Sequence, residues 1–212
     1  MSKRVNQRAE QLRRALAMEA ARIMSEQGID DYRLAKRKAA ERLGATDISV
    51  LPKNTEIEAA LAERQRLFEA DTHSSVLEAA RRTALQAMRL LQQFEPRLVG
   101  PVLSGTASAH SEINLHLFAE GPEPVVLHLM EHGIPYQMAE RRLRYEPDRV
   151  VAYPVVRFVA GNSEIDAVVF PLNGIRQSPA SPVDGRPMRR ADSAELESLL
   201  ADAPAPMRVG WN

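Results

Sequence analysis

The feature that most constrains the fold is a change of pattern at Pro96. The 95 residues before it contain two glycines and one proline, and their apolar residues recur at intervals of three and four. This spacing is typical of amphipathic helices. After Pro96, apolar and polar residues alternate in short segments, and this period of two predicts strands. We therefore predict an α+β protein, with a helical region over residues 1–95 and an α/β domain over 96–212.

Capping residues indicate where the helices of the first region begin and end. Asp30 or Asp31 is suited to start a second helix, which Gly44 would end. A third helix is expected to begin at Asn54, to break near residues 71–75 and then to resume.

The second region is expected to form a small mixed sheet with flanking helices. Strands are predicted at residues 98–104, 111–118, 136–145, 151–160 and 163–170, with a helix at 122–132. Gly161-Asn162 suits a tight hairpin turn between the last two strands. The proline-rich segment 171–190 is expected to be a loop, followed by a short C-terminal helix that Asp192 or Ser193 would cap.

Two predicted strands carry polar residues on one face. In the segment SEINLHLF, Glu112, Asn114 and His116 alternate with apolar residues, and a turn containing Gly105 precedes them. About fifty residues later, Glu164 and Asp166 stand two positions apart on the last strand. Carboxylate, amide and imidazole groups bind cations and polar ligands. The same pattern also fits the solvent-exposed face of an antiparallel sheet, which needs no chemistry.

The order of small-residue turn, acidic strand, helix and second acidic strand resembles the DNA polymerase beta-like nucleotidyltransferase superfamily, over about residues 80–170. The resemblance implies a nucleotidyltransferase-like fold in which carboxylates hold Mg²⁺ and a turn cradles the phosphates of a nucleotide. It assigns catalytic roles to Glu112 and Asp166. The implied metal ligands are Glu112, Asn114 and Asp166, and the implied phosphate-binding turn is Ser104, Gly105 and Thr106.

Arginines on the predicted strands are further candidates for the site. Arg141, Arg142, Arg144 and Arg157 would bind phosphate if they faced the same cleft as Glu112, because a guanidinium binds phosphate through two hydrogen bonds. Of these, Arg157 is the candidate nucleotide-binding residue.

The sequence departs from the family motif at three points. Glu112 replaces the first aspartate, Asn114 replaces the second, and six residues separate Gly105 from Glu112, fewer than is usual in the family. An amide in the bridging position removes a negative charge, so the site is expected to bind Mg²⁺ weakly and to hold one ion rather than two. His116 is a candidate for an additional ligand, although imidazole favours softer metals.

Three functions agree with this pattern. The first is metal-dependent nucleotide binding, with or without nucleotidyl transfer. The second is a non-catalytic module that binds nucleotide or RNA, and the third is a helical interaction protein whose sheet serves as a scaffold. Other enzyme motifs, including the P-loop G-x-x-x-x-G-K-[ST] and H-E-x-x-H, are absent from the sequence.

Charge and composition limit the partners and the location. Residues 1–45 contain eleven lysines and arginines against six acidic residues, although the net charge of the whole chain is zero. This basic segment is either a solvated helix face or a surface for RNA or an acidic partner. The chain has no cysteine and no apolar run of about 20 residues, so we expect a cytoplasmic protein without a membrane partner.

Overall fold

The N-terminal region is helical, as predicted. A computed structural model describes residues 2–29, 31–68 and 70–202. Its first elements are the helices α1 (Ser2–Gln27), α2 (Tyr32–Leu43), α3 (Asn54–Phe68) and α4 (Ala70–Leu90), with short 3₁₀ turns at Ile48–Val50 and Gln92–Phe94. No strand precedes Arg97 in these described ranges.

Local signals set both ends of α2. The carboxylate of Asp31 accepts hydrogen bonds from the backbone N–H groups of Arg33, at 2.7 Å, and Leu34, at 3.2 Å. Gly44 ends the helix with a φ of 64°, in the left-handed region that glycine adopts without strain. The alternative cap, Asp30, lies outside the described residues.

The helix boundary expected near residues 71–75 lies a few residues earlier in the chain. Helix α3 ends at Phe68 and α4 begins at Ala70, so residues 71–75 lie inside α4. The polar residues there lower helix propensity only slightly, and no glycine or proline interrupts them. The apolar stripe that continues through Leu85 and Met88 buries α4 and outweighs this small local cost.

The second region forms one five-stranded mixed sheet. Its strands are β1 (Arg97–Val99), β2 (Ile113–Phe118), β3 (Tyr136–Glu146), β4 (Arg149–Ala160) and β5 (Ser163–Phe170), in the order β1-β2-β5-β4-β3. Only β2 and β5 pair in parallel. Strands β4 and β5 form the predicted hairpin, in which Ala160 pairs with Ser163 across Gly161-Asn162. The fold is therefore α+β, as predicted.

The first predicted strand, 98–104, is correct only at its start. The strand ends at Val99, and Pro101–Ser104 forms the short helix α5. Gly100 turns the chain with a φ of 73°. Pro101 then begins the helix, where its fixed φ and missing N–H group are favourable.

Two further helices complete the described chain. They are α6 (Glu123–Glu131) and α7 (Ser193–Ala201), and a 3₁₀ turn lies at Leu172–Arg176. Asp192 caps α7, because its carboxylate accepts a hydrogen bond of 2.9 Å from the backbone N–H of Glu195. Apart from the 3₁₀ turn and a bridge between Ala180 and Pro187, the segment 171–190 is irregular, as its prolines predict.

The chain divides into two compact units. The first contains the described residues up to His73, with 108–111 and 182–184, and its core lies between α1, α2 and α3 around Leu16, Ile23 and Ile57. The second contains 74–107, 112–181 and the described residues from Gly185 onward. The strands thus begin at Arg97, directly after Pro96, whereas the packing already changes at Ser74.

In the second unit, helices cover one face of the sheet. The apolar residues Ile113, Leu115 and Leu117 of β2 lie in this core with residues of α4, α6 and α7, among them Met88 and Leu129. Because side chains alternate along a strand, the intervening residues of β2 belong to the opposite face. That opposite face carries the candidate site.

Candidate functional site

The structure brings the polar residues of β2 and β5 together. Asn114 and Asp166 are direct neighbours in the parallel pair of strands, and Glu112 immediately precedes β2. Asn114, His116 and Asp166 are all buried. This face is therefore not the solvent-exposed surface that was the alternative interpretation of the alternating pattern.

Two arginines hold the carboxylate of Asp166, which is only 1% exposed. Arg157, its neighbour on β4, donates from Nε to Oδ1 at 2.6 Å and from Nη2 to Oδ2 at 2.9 Å. Arg141 on β3 donates from Nη2 to Oδ2 at 2.6 Å. Both oxygens of Asp166 are thus engaged in charge-assisted hydrogen bonds, which are among the strongest in proteins.

Arg141 also donates a hydrogen bond to the side-chain amide of Asn114. Its Nη1 donates a hydrogen bond to Asn114 Oδ1, and Asn114 Nδ2 donates to the backbone oxygen of Glu112 at 3.3 Å. The oxygen that would have to bind a metal therefore already accepts a hydrogen bond from a guanidinium.

Three carboxylates converge at this end of the sheet. Glu112, Glu164 and Asp166 each offer an oxygen, and these three oxygens lie within 4.8 Å of one another. Arg157 Nε lies 2.9 Å from Glu164 Oε1, and Arg157 Nη2 lies 3.9 Å from Glu112 Oε1. The guanidinium of Arg157 therefore stands among all three acids. We call these three acids with Asn114, Arg141 and Arg157 the acid–arginine cluster.

Burial and nearby charges shift the pKa values of Glu112 and Asp166 in opposite directions. Burial raises the pKa of Glu112, and the nearby Asp166 raises it further, although the two arginines oppose this rise. Burial also tends to raise the pKa of Asp166, but the hydrogen bond from Arg157 and the charges of both arginines outweigh it and lower that pKa below its usual value. Asp166 is therefore the carboxylate that stays ionised, and Glu112 is the one that gains a proton more readily.

The cluster offers oxygen donors, which are the type of ligand that a hard cation prefers. Three carboxylates supply the oxygen ligands that Mg²⁺ prefers, so the cluster could hold a metal ion. The two guanidinium groups, however, leave only one negative charge in excess when all three acids are ionised. A divalent ion would therefore have to replace Arg157 or be accompanied by an anion.

The predicted phosphate turn lies at the end of α5. Gly105 has a φ of 90° and ends that helix, and Ser104 Oγ lies 3.0 Å from Thr106 Oγ1. The glycine next to the acidic strand is Gly100, since a Cβ there would lie 3.6–3.9 Å from the side-chain atoms of Asn114. Gly100 was not among the predicted site residues, although Gly-Pro directly after a strand is itself a turn signal.

The strand arginines separate by face. Arg141 and Arg157 point to the cluster, whereas Arg142 is exposed and contacts Glu140 at 3.7 Å. The alternation along β3 predicts that Arg141 and Arg142 lie on opposite faces, but only the pairing of β3 with β4 shows which of them meets Asp166.

His116 is not free to bind a metal through Nδ1. Arg190, from the segment after β5, donates a hydrogen bond of 3.0 Å from Nε to this atom. Burial lowers the pKa of His116 well below its usual value, and the charge of Arg190 lowers it further. Arg190 was not predicted, because 74 residues separate it from His116.

In the first unit, the basic segment forms both ion pairs and a cavity. Arg22 pairs with Glu19 and Glu26, and Arg13 pairs with Glu56. A cavity of about 310 Å³ is lined by residues of α2, three of them cations, and by residues of the segment that follows, namely Arg33, Lys36, Arg37, Ala40, Ala45, Thr46, Asp47 and Leu51.

None of the described helices is both long and apolar enough to cross a membrane. A comparison of the chain with known protein families, with curated proteins and with solved structures found no match. The nucleotidyltransferase resemblance therefore stays a prediction that rests on the residues and their geometry.

Proposed function

We propose that this protein binds a nucleoside triphosphate together with Mg²⁺ at the acid–arginine cluster, and that it has little or no nucleotidyl transfer activity. One observation carries the proposal. The guanidinium of Arg157 stands among Glu112, Glu164 and Asp166, at the place where a divalent cation would find its oxygen ligands. The Arg157 guanidinium thus occupies the position that a metal ion would take.

Charge balance favours joint binding of metal and nucleotide. Mg²⁺ alone would be repelled by the positive charges of Arg141 and Arg157, and a triphosphate alone would be repelled by the three carboxylates. When both arrive, the arginines can turn from Asp166 to the phosphate oxygens, which they bind through two hydrogen bonds. The carboxylates are then free to bind the metal.

Asn114 is the reason for expecting little transfer. When bound, metal ions in such sites align the phosphate and activate the attacking hydroxyl. A neutral amide in the bridging position supplies no charge to hold a second ion, and its oxygen is already engaged by Arg141. The residues present therefore favour binding over chemistry.

The test follows the melting temperature under four conditions: no addition, Mg²⁺ or Mn²⁺ alone, nucleoside triphosphate alone, and both together. We expect a rise with both and little change with either alone, because a ligand stabilises only the state that it binds. In Arg157→Gln, the metal alone should raise the melting temperature, since the competing cation is gone. Arg142→Gln, an exposed arginine on the other face of β3, is the matched control and should behave like the natural protein.

Two outcomes would contradict the proposal. If neither the natural protein nor Arg157→Gln responds to metal and nucleotide, the cluster is a structural ion-pair network and the helical interaction function is favoured. If the nucleotide alone raises the melting temperature as much as the mixture does, the binding does not depend on metal.

A second candidate function concerns the first unit and is favoured by Lys36. Burial lowers the pKa of this lysine, although the charge of Glu56 opposes the shift, and the lysine lines a cavity with Arg33, Arg37 and Asp47. Three cations against one acidic residue in this cavity suit the phosphate backbone of RNA. Fluorescence anisotropy with a labelled RNA should show salt-dependent binding that Lys36→Gln weakens, and binding equal in both forms would exclude it.

A further inference from the structure

Arg190 is a partly buried cation that has no anionic partner among the described residues. Its Nη1 donates to the backbone oxygen of Gly174 at 2.9 Å and its Nε to His116, while its Nη2 is buried and makes no hydrogen bond. The guanidinium carbon lies 5.0 Å from the ring centre of Phe118 and 5.1 Å from that of Phe170. Among the described residues, no carboxylate lies within ion-pair distance of it.

This arrangement is unusual because a buried charge normally has a partner of opposite sign. Buried arginines are usually paired with acids, because an ion that leaves water loses its hydration. Burial lowers the pKa of the Arg190 guanidinium. Aromatic faces, a neutral imidazole and backbone oxygens compensate only part of its charge.

A polar cavity of about 260 Å³ lies next to Arg190. It is lined by Gly174, which Arg190 contacts, and by the further residues Tyr145, Arg149, Tyr153, Pro171, Asn173 and Gln177. No acidic residue is among them. We call this cavity the tyrosine pocket.

Most polar groups of the tyrosine pocket are donors. The hydroxyl groups of Tyr145 and Tyr153 lie 2.8 Å apart, so one donates to the other and the second keeps its hydrogen for a ligand. The guanidinium of Arg149 stacks on the Tyr145 ring at 4.8 Å and has no ion-pair partner in the described chain. Asn173 and Gln177 add amide N–H groups.

We propose that the tyrosine pocket is a phosphate-binding site, which takes inorganic phosphate or a phosphate monoester. Arg149, one tyrosine hydroxyl and the two amides donate hydrogen bonds to the phosphate oxygens. Arg190 does not line the pocket itself, but it contacts Gly174 of the lining and adds a partly buried positive charge nearby. A phosphate dianion fits this set because it offers several acceptor oxygens and no donor that the pocket would leave unsatisfied.

This site is separate from the acid–arginine cluster. Asp166 and Phe170 lie four positions apart on β5, which corresponds to about 13 Å along the strand. Tyr153 of the pocket pairs with Arg141 of the cluster, whereas the other pocket residues lie toward Pro171, beyond the end of β5. The proposal does not need the nucleotide-binding function, and variants of different residues test the two sites.

Titration calorimetry with inorganic phosphate, without divalent metal, tests the proposal. We expect millimolar or tighter binding that Arg149→Gln weakens about tenfold, because a lost charge-assisted hydrogen bond corresponds to at least that factor. Tyr145→Phe should also weaken it. Arg176→Gln, an exposed arginine of the neighbouring 3₁₀ turn that does not line the pocket, is the matched control and should bind like the natural protein.

Further ligands and one further variant identify the source of the anion. A phosphate monoester that binds more tightly than inorganic phosphate would assign the site to a phosphorylated metabolite, and acetate at equal ionic strength should bind more weakly than either. The proposal is overturned if phosphate does not bind, if Arg149→Gln leaves its affinity unchanged, or if acetate binds as tightly. It is also overturned if Arg157→Gln abolishes the binding instead, because the phosphate would then occupy the acid–arginine cluster.

Discussion

Replacing Asp166 by asparagine should destabilise the second unit strongly. The substitution preserves the size of the side chain but removes the negative charge that both Arg141 and Arg157 contact, at 2.6–2.9 Å. Removing one partner of a fully buried ion pair costs about 3–5 kcal/mol, because the remaining charge is left without compensation. The two arginine side chains are 33% exposed, so water relieves part of this cost.

We therefore expect a loss of about 2–3 kcal/mol in the free energy of unfolding, less than for a fully buried pair. For a chain of this length, that loss corresponds to a fall of roughly 5–10 °C in melting temperature. Urea unfolding followed by circular dichroism measures the free energy, and thermal scans of the same samples give the melting temperature.

Glu164→Gln is the matched control. It removes a carboxylate from the same cluster, but Glu164 is 45% exposed, and Arg157 is its only ion-pair partner among the described residues. Its loss should cost less than about 1 kcal/mol, as for other exposed ion pairs. If Asp166→Asn destabilises the protein no more than Glu164→Gln does, Asp166 does not anchor the arginines and the electrostatic account of the cluster is wrong.

Three further substitutions test the backbone, an ion pair and the missing carboxylate. Gly100→Ala should lower the stability by about 1–3 kcal/mol, because φ 73° and ψ −155° form a region that is almost restricted to glycine; unchanged urea unfolding would contradict this. Glu19→Gln should cost about 1 kcal/mol at neutral pH, since the hydrogen bond from Arg22 lowers the pKa of Glu19 from 4.5 to about 2. Because that pKa is lower in the folded state, this contribution is complete above pH 4.5 and is lost as the pH falls toward 2, so the two proteins should converge in acid unfolding curves. Asn114→Asp should strengthen Mn²⁺ binding in the presence of nucleotide or produce trace transfer of labelled nucleotide. If the substitution reduces both the binding and the transfer, Glu112 and Asp166 are already sufficient for them in the natural protein.

The sequence alone determined the local structure of this protein. Helix ends at Asp31 and Gly44, the hairpin at Gly161-Asn162 and the two faces of β2 depend on residues within a few positions of one another. Backbone propensities, caps and alternation act over such distances, so a pattern of residues is enough to predict them. The expected break at 71–75 shows the limit, because the boundary between α3 and α4 lies a few residues earlier than the weak local signal indicated.

Only the tertiary structure decided the chemistry of the site. The sequence predicted carboxylates on one sheet face, but it did not show that Arg141 and Arg157 fill the space between them. Arg141 is 25 residues from Asp166 in the chain, and Arg190 is 74 residues from His116. The pairing of strands and the path of the segment after β5 set these contacts, and no local pattern encodes them. The sequence predicted a metal site from the acids alone, whereas in the structure the guanidinium of Arg157 lies among them. Long side chains from different strands come into contact only in the folded protein.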